Sequence, residues 1–416
     1  MSGALKRDEW ETVRLGDEMK SMPRVLIPDV LYFQEGPGVR NTQYTLSGVK
    51  LLNVSNLHDG FVDLSTSNRY ISEDEAYGRY SHFLVDEGDF IIASSGIKIE
   101  SFDTKMGFID KSHLPLCMNT STIRFKVLDD SKLSIRYFMY YLKSDDFKKQ
   151  LFHHITGSAQ LNFGPSHLKK MTFPLPPLDV QRRIADTLDK VTELITLRKT
   201  QLEKLDELVK ARFVEMFGDP MVNQKGWITD IMKSVCTKIT DGEHGSVLRV
   251  DTGNVFLNAK HIRKDGLIDW ETVTYVTDEV HNKIYSRCNP EYGDVLLTTT
   301  GTIGNVTLVP NVPPFSLDRG ITLLKLDKSK VNNKFIVGLL SFDSIQSVMK
   351  ANIHASAIGH LFLNKVMKIP IIVPPLELQN EFAAFVEQTD KSKVIIQQSL
   401  DTLETLKKSL MQEYFG

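Results

Sequence analysis

Phe173–Asp219 reads FPLPPLDVQRRIADTLDKVTELITLRKTQLEKLDELVKARFVEMFGD. After Pro176-Pro177 there is no glycine or proline until Gly218. Ile184, Leu188, Val191, Ile195, Leu202, Leu205 and Val209 recur in steps of three and four, with one gap at Arg198. This is the seam of a helix that packs along another helix. A strand, whose side chains alternate at every second residue, cannot use that period. The roughly 35 residues from Asp179 to Phe213 make a rod of about 50 Å, too long to be buried inside one ordinary domain.

The stretch occurs twice. Pro374–Gly416 aligns with Pro176–Gly218 without a gap, pairing Pro-Pro-Leu, Gln181/Gln379, Ala185/Ala383, Leu202/Leu400, Leu205/Leu403, Leu208/Leu406 and the terminal Phe-Gly. Heptad-like sequence explains recurring leucines but not the flanking motifs, so the unit is duplicated. The seam of the second rod falls on Phe382, Val386, Ile396, Leu400, Leu403 and Leu410.

A chain of 416 residues suits two domains with connecting elements. The five segments expected are an arm (1–19), a first globular unit (20–172), a first rod (173–219), a second unit (220–369) and a second rod (370–416). No apolar run reaches the ~18 residues that span a bilayer, the N-terminus lacks the apolar core of a signal peptide, and a cytoplasmic location is expected. Cys117, Cys236 and Cys288 are far apart and lack metal-ligand spacing, which predicts packing or surface roles and no metal site. Net charge is −2. The globular segments are less acidic than the rods but neither is strongly basic, so nucleic-acid binding requires charge clustered on one face or contributed by a partner.

In the first unit, Val49–Val54, Phe90–Ser94 and Thr122–Val127 read as strands and Ile135–Phe152 as one helix. The second unit keeps that order: Leu52-Asn53 matches Leu257-Asn258, and Asp59-Gly60 matches Asp265-Gly266. Gly88-Asp89 matches Gly293-Asp294, Ser94-Ser95-Gly96 matches Thr299-Thr300-Gly301, and Gly157-Ser158-Ala159 matches Ala355-Ser356-Ala357. Trp10 and Trp227 each stand just ahead of a unit, a looser echo. Between these anchors the units diverge almost everywhere.

A divergent unit and a Pro-Pro-Leu-acid-x-Gln rod, each present twice, resemble the specificity subunit of type I restriction–modification systems. The motifs that carry the resemblance are Pro176–Gln181 and Pro374–Gln379, although Val180 and Leu378 stand where the family more often has Glu. The resemblance implies an α+β fold of two similar mixed α/β target-recognition domains. Two long antiparallel helices would separate them as a coiled-coil-like spacer with a pseudo-twofold internal repeat. It implies a non-catalytic chain that binds double-stranded DNA at an asymmetric, bipartite site, one half-site per domain, with rod length setting the spacer. It further implies two DNA methyltransferase (modification) subunits as partners and, where present, restriction/translocase subunits. S-adenosylmethionine and ATP would reside on those partners, leaving this chain without a cofactor.

Base reading needs donors and acceptors on groove-facing loops. Candidates in the first unit are Arg40, Asn53, Ser55, Asn56, Arg69, Ser94, Ser95, Lys98, Ser158, Gln160 and Asn162. In the second they are His244, Arg249, Asn258, Lys260, His261, Arg263, Lys264, Thr299, Thr300, Arg319 and Ser356, with the Lys260–Lys264 cluster the densest in positive charge. Asn53 and Asn258, which match between the units, could equally be architectural. Leu194, Leu197, Leu208 and Phe213 lie beyond the seam needed for one partner helix, and would either dock other proteins or widen the seam.

Enzyme signatures are near misses. Asn289-Pro290-Glu291-Tyr292 and Val312-Pro313-Pro314-Phe315 each break the Asn/Asp-Pro-Pro-aromatic pattern of an amino-methyltransferase. Gly301–Gly304 is too short for a P-loop. His153-His154 lacks a third ligand. The competing reading is a helical adaptor that spaces two protein-interaction domains without touching DNA.

Overall fold

The computed structural model describes residues 19, 21–66, 68–154, 161–353 and 359–416. The chain forms two compact units: one runs to Leu197 and includes Leu400–Gly416, and the other is Arg198–Ser399.

In the first unit, strands Leu31–Glu35, Thr122–Val127, Phe90–Ala93 and Met106–Phe108 form an antiparallel sheet in that spatial order. Leu116–Met118, Val49–Leu52 and Tyr70–Ile71 form a second sheet, whose first pair is parallel. Arg24–Leu26 pairs with Thr172–Pro174. The second unit repeats the plan with Cys236–Asp241, Ile321–Leu326, Val295–Thr298 and Val306–Leu308. Its second sheet is Ser316–Leu317, Asn254–Leu257 and Thr274–Val276, again with a parallel first pair. Ile228–Ile231 pairs with Pro370–Val373. The central strands are short apolar runs because both faces are covered: every residue of Phe90–Ala93 and Val295–Thr298 is buried.

Arg24–Leu26 thus occupies the place of Ile228–Ile231. The Trp10 stretch that echoes Trp227 lies outside the described residues. The helix expected over Ile135–Phe152 is two helices, Ile135–Leu142 and Asp145–His154. Ser144 supplies the break, its Oγ accepting from Phe147 N–H at 3.2 Å, as a serine at a helix start does. Asn333–Leu340 and Asp343–Ala351 repeat this break in the second unit.

The rods are Leu178–Phe217 and Leu376–Phe415, 40 residues each and so about 60 Å long. The first stops at Gly218, whose φ of 77° is the left-handed conformation that terminates helices. The recurring glutamine explains the motif at each start. Gln181 is fully buried; its Oε1 accepts from Ser134 N–H at 2.8 Å, and its Nε2 donates to Lys132 O and Pro176 O, both at 2.8 Å. Gln379 repeats this with Asn332 N–H at 2.9 Å, Lys330 O at 3.3 Å and Pro374 O at 2.8 Å. Each amide clamps the start of its rod to the start of its unit's paired short helices.

In the first unit, Ile184 and Leu188 are fully buried and Val191, Ile195, Leu400 and Leu410 nearly so, while Leu403 is half-buried. Phe415, at the end of the second rod, packs 5.4 Å from Tyr137. In the second unit, contacts of Arg198 with Ser399, Asp206 with Lys393 and Phe213 with Phe382 show the helices running antiparallel. Phe382 is buried there, whereas Leu202, Leu205, Val209, Val386 and Ile396 are half-buried. Phe213 is not a docking residue: it sits at 2% exposure among Phe217, Phe335, Phe342 and Phe382. Leu194, Leu197 and Leu208 remain exposed.

Candidate nucleic-acid interface

In each unit the parallel strand pair ends beside two other segments, and four stretches converge. In the first unit they are 53–55, 94–96, 119–121 and 161–163. Asn119 Nδ2 donates to Asn53 Oδ1 at 2.9 Å, Ser94 N–H to Ser121 O at 2.8 Å, Ser95 Oγ to Ser121 Oγ at 2.5 Å, and Phe163 N–H to Ser94 O at 3.0 Å. An open cleft of about 510 Å³ lies here, lined by Tyr44, Asn53, Ser55, Arg69, Asn119 and Thr120 among others.

The matching stretches of the second unit are 258–260, 299–302, 318–320 and 359–361. Thr299 N–H donates to Gly320 O at 2.8 Å, Leu361 N–H to Thr299 O at 2.8 Å, and Thr302 Oγ1 to Ala259 O at 3.1 Å. Thr300 Oγ1 hydrogen-bonds His360 Nδ1 at 2.6 Å. A Cβ on Gly320 would stand 3.4 Å from Ala259 Cβ and 3.5 Å from Thr300 Cβ, so these segments touch.

Of the expected contacts, Asn53, Ser55, Ser94, Ser95, Arg69 and Asn162 come together at the first rim, and Asn258, Lys260, Thr299, Thr300 and Arg319 at the second. Several do structural work instead of facing solvent. Asn56 is fully buried, donating to Asp63 O and Thr66 Oγ1 and accepting from Asn53 N–H. Ser94 and Thr299 are buried. Asn53 donates to Leu51 O, and Asn258 caps the turn that follows it by accepting from Lys260 N–H, which favours the architectural reading of both.

His261 is fully buried, its Nδ1 accepting from Asn258 N–H at 3.0 Å and its Nε2 3.0 Å from Thr272 O. Those partners define a neutral ring that donates through Nε2. Burial first, and the Lys260 cation second, hold its pKa below the usual histidine value. Burial lowers His281 and His360 likewise.

The unfolded chain therefore takes up protons near pH 6.5 that the folded unit refuses, so stability is full above about pH 6.5 and falls as the solution is acidified. We expect the melting temperature of the second unit to drop below that pH. His261→Gln should lower the melting temperature at pH 7 but flatten its acid dependence. An equally steep dependence in the variant would remove His261 as a contributor.

Arg263 and Lys264 are exposed but lie on a tight turn whose Gly266 O accepts from Thr307 Oγ1, over the outer strand, and Arg263 pairs with Asp265. This turn is not one of the four converging stretches. Arg249 lies 3.9 Å over the Phe256 ring, and His244 Nε2 is 2.9 Å from Asp241 Oδ2. Arg40 and Lys98 are exposed. Ser158, Gln160 and Ser356, with the matched loops that carry Ser158 and Ser356, lie outside the described residues.

Sequence reading missed Tyr44, Asn119, Thr120, Asp318 and His360. The polar breaks Asn119-Thr120-Ser121 and Asp318-Arg319-Gly320, each between two strands, were the available signal.

Burial pushes the thiols of Cys117 and Cys236 up to about 12 and that of Cys288 to about 11, leaving them protonated and unreactive at neutral pH. Among the described residues no group of three His, Cys, Asp or Glu side chains could hold a metal ion. Nor is any described helix long and apolar enough to cross a membrane.

Fold and site together define a class: two homologous units, each with a polar rim and a share of both long helices. Residues 7–207 and 238–405 match the type I restriction modification DNA specificity domain, and the chain belongs to that family. It is similar to the putative type I restriction enzyme MjaX specificity subunit of Methanocaldococcus jannaschii, 26% identical over 66% of each chain. It is 23% identical to the MjaVIII specificity subunit of the same organism, over 50% of this chain and 48% of the relative. The EcoBI specificity subunit of Escherichia coli is 21% identical over 66% of each. The chain thus aligns over about two thirds or less of these relatives' length.

In fold it resembles the type I restriction–modification S subunit from M. genitalium, with TM-score 0.56 and 16% identity over 95% of this chain and 96% of the other. A chain from a structure describing complex assembly and conformational transition of the type I R-M system gives TM-score 0.54 and 16% identity, over 94% and 99%.

Proposed function

We propose that this chain is the DNA-recognition subunit of a type I restriction–modification enzyme, reading one half of an asymmetric bipartite site with each unit. The observation that carries this reading is the shared scaffold with a divergent rim. The four converging stretches and the buried glutamine recur, while Ser55 is replaced by Lys260 and Thr120 by Arg319 at matching positions. A scaffold kept while its polar edge changes suits two unequal DNA half-sites. A helical adaptor gives no reason for that pattern.

In this reading the chain is non-catalytic, holds no cofactor and acts in the cytoplasm. Two modification subunits, holding S-adenosylmethionine, dock on the rods, where Leu194, Leu197 and Leu208 of the first rod are exposed. A restriction subunit, where present, brings ATP.

The test is modification-aware sequencing of the host genome with the gene intact and deleted. Loss of adenine methylation at one two-part, non-palindromic motif is expected. If methylation is unchanged in a host whose system is expressed, and a footprint with co-purified partners is absent, the adaptor reading takes its place. Within the second unit, Lys260→Ala should weaken binding through one half-site and reduce the salt dependence of binding by about one ion, read from titrations at several salt concentrations.

A further inference from the structure

Base discrimination within each unit rests on the DNA-recognition reading, and two arginines stand apart there. Several guanidiniums of the chain are tied to carboxylates: Arg24 to Asp146, Arg124 to Asp89, Arg136 to Asp186 and Arg287 to Asp241. Arg69 and Arg319, both exposed at a rim, have no carboxylate partner among the described residues.

Arg69 lies 5.4 Å over the Tyr44 ring and donates to Asn53 Oδ1 at 3.4 Å, so it is oriented without being neutralised. Arg319 is held through its backbone, whose N–H donates to Glu243 O at 3.1 Å. The neighbouring Asp318 carboxylate is turned into its own loop, where it accepts from Gly320 N–H at 2.8 Å.

The strand registers place these two residues in a reciprocal relation. Met118 pairs with Leu52 and Leu317 with Leu257, which makes Thr120 the counterpart of Arg319. Ile71 pairs with Val49 and Val276 with Asn254, which makes Thr274 the counterpart of Arg69. Each unit therefore carries one arginine and one threonine at these two positions, exchanged across the rim. An unpaired, fork-shaped donor on a polar rim matches the paired N7 and O6 acceptors of guanine in the major groove.

We infer that Arg69 and Arg319 are the specificity-determining residues of the two units, each reading a guanine, and that they approach their half-sites from opposite sides of the rim. The consequence is a site with a guanine in each half at non-equivalent positions.

The substitutions that test this are Arg69→Lys and Arg319→Lys, made separately in the full chain purified with its co-expressed partner subunits. Lysine keeps the positive charge but loses the planar fork, so phosphate attraction stays while bidentate base reading goes. The probe is a pool of randomised duplex DNA, with the bound fraction sequenced. Arg69→Lys should relax preference at one G·C pair of one half-site by about tenfold or more, and Arg319→Lys at one G·C pair of the other. The salt dependence should not change.

A two-part motif that both lysine variants select unaltered overturns the guanine-reading assignment and leaves DNA recognition standing. A wild-type complex that selects no two-part motif overturns both. Binding weakened uniformly across all sequences, with an unchanged melting temperature and unrelaxed preference at every position, makes the arginines phosphate contacts and also overturns the assignment.

Discussion

Gln379→Ala should destabilise the second unit by about 3–5 kcal/mol, the cost of a buried cavity plus three backbone groups left without their partner. The melting temperature of that unit should fall by roughly 10 °C. The side chain is fully buried and bonds Asn332 N–H, Lys330 O and Pro374 O, so no water replaces it readily. Gln181→Ala should do the same to the first unit, through Ser134, Lys132 and Pro176.

The chemistry of the clamp gives a sharper test. In Gln379→Glu an ionised carboxylate faces two carbonyl oxygens that need a donor. Burial and that repulsion raise the glutamate pKa in the folded state, so the variant is weakest above it and gains stability relative to wild type as the pH falls and the acid becomes a donor. Thermal melts of both proteins across pH 5–8 check this. A Glu variant that stays a constant interval below wild type would show that the amide donor is not what the clamp requires.

Arg124→Met should be comparably severe and confined to the first unit. Arg124 is 6% exposed, and its guanidinium donates to Leu84 O at 2.7 Å, His82 O at 2.8 Å, Gln34 Oε1 at 2.6 Å and Asp89 Oδ2 at 3.3 Å. Removing one member of a buried pair typically costs about 3–5 kcal/mol, because the remaining groups stay desolvated. Lys126, 3.3 Å from Asp89 Oδ1, retains part of the compensation for that carboxylate.

Arg124 lies on the strand that leads directly out of Asn119-Thr120-Ser121, so its loss should loosen the first rim. Selection from randomised duplexes should then lose one half of the motif and keep the other. Loss of both halves at a temperature where the second unit is still folded would contradict independent reading by the two units. The second unit has Leu323 at the matching strand position, so the arginine clamp belongs to the first unit alone.

How far the sequence reaches depends on the range of the interaction being read. Helix period is local: the spacing of Ile184, Leu188, Val191 and Ile195 predicted a rod that the fold extends to Leu178–Phe217. Duplication is likewise written in the chain, because Pro-Pro-Leu-acid-x-Gln and Phe-Gly recur at one offset. Strand Thr122–Val127 is where its β-rich composition between turn residues placed it, whereas the helix over Ile135–Phe152 failed at Ser144, a residue whose capping hydroxyl competes with the helix backbone.

The rims were legible only in outline. Polar residues such as Asn56 and His261 read as surface donors, but partners brought in by the fold bury them. Arg263 and Lys264 read as the strongest positive cluster, but one is paired with Asp265 and the turn that carries both faces the outer strand.

The sequence by itself determined the duplication, the two long helices and the segment order, since each depends on residues close along the chain. Tertiary structure alone decided which polar groups face solvent. That outcome rests on pairings such as Asn53 with Asn119 and Thr300 with His360, made across 66 and 60 residues. A buried donor or acceptor must find its partner wherever the fold brings one, and no local pattern encodes that distance.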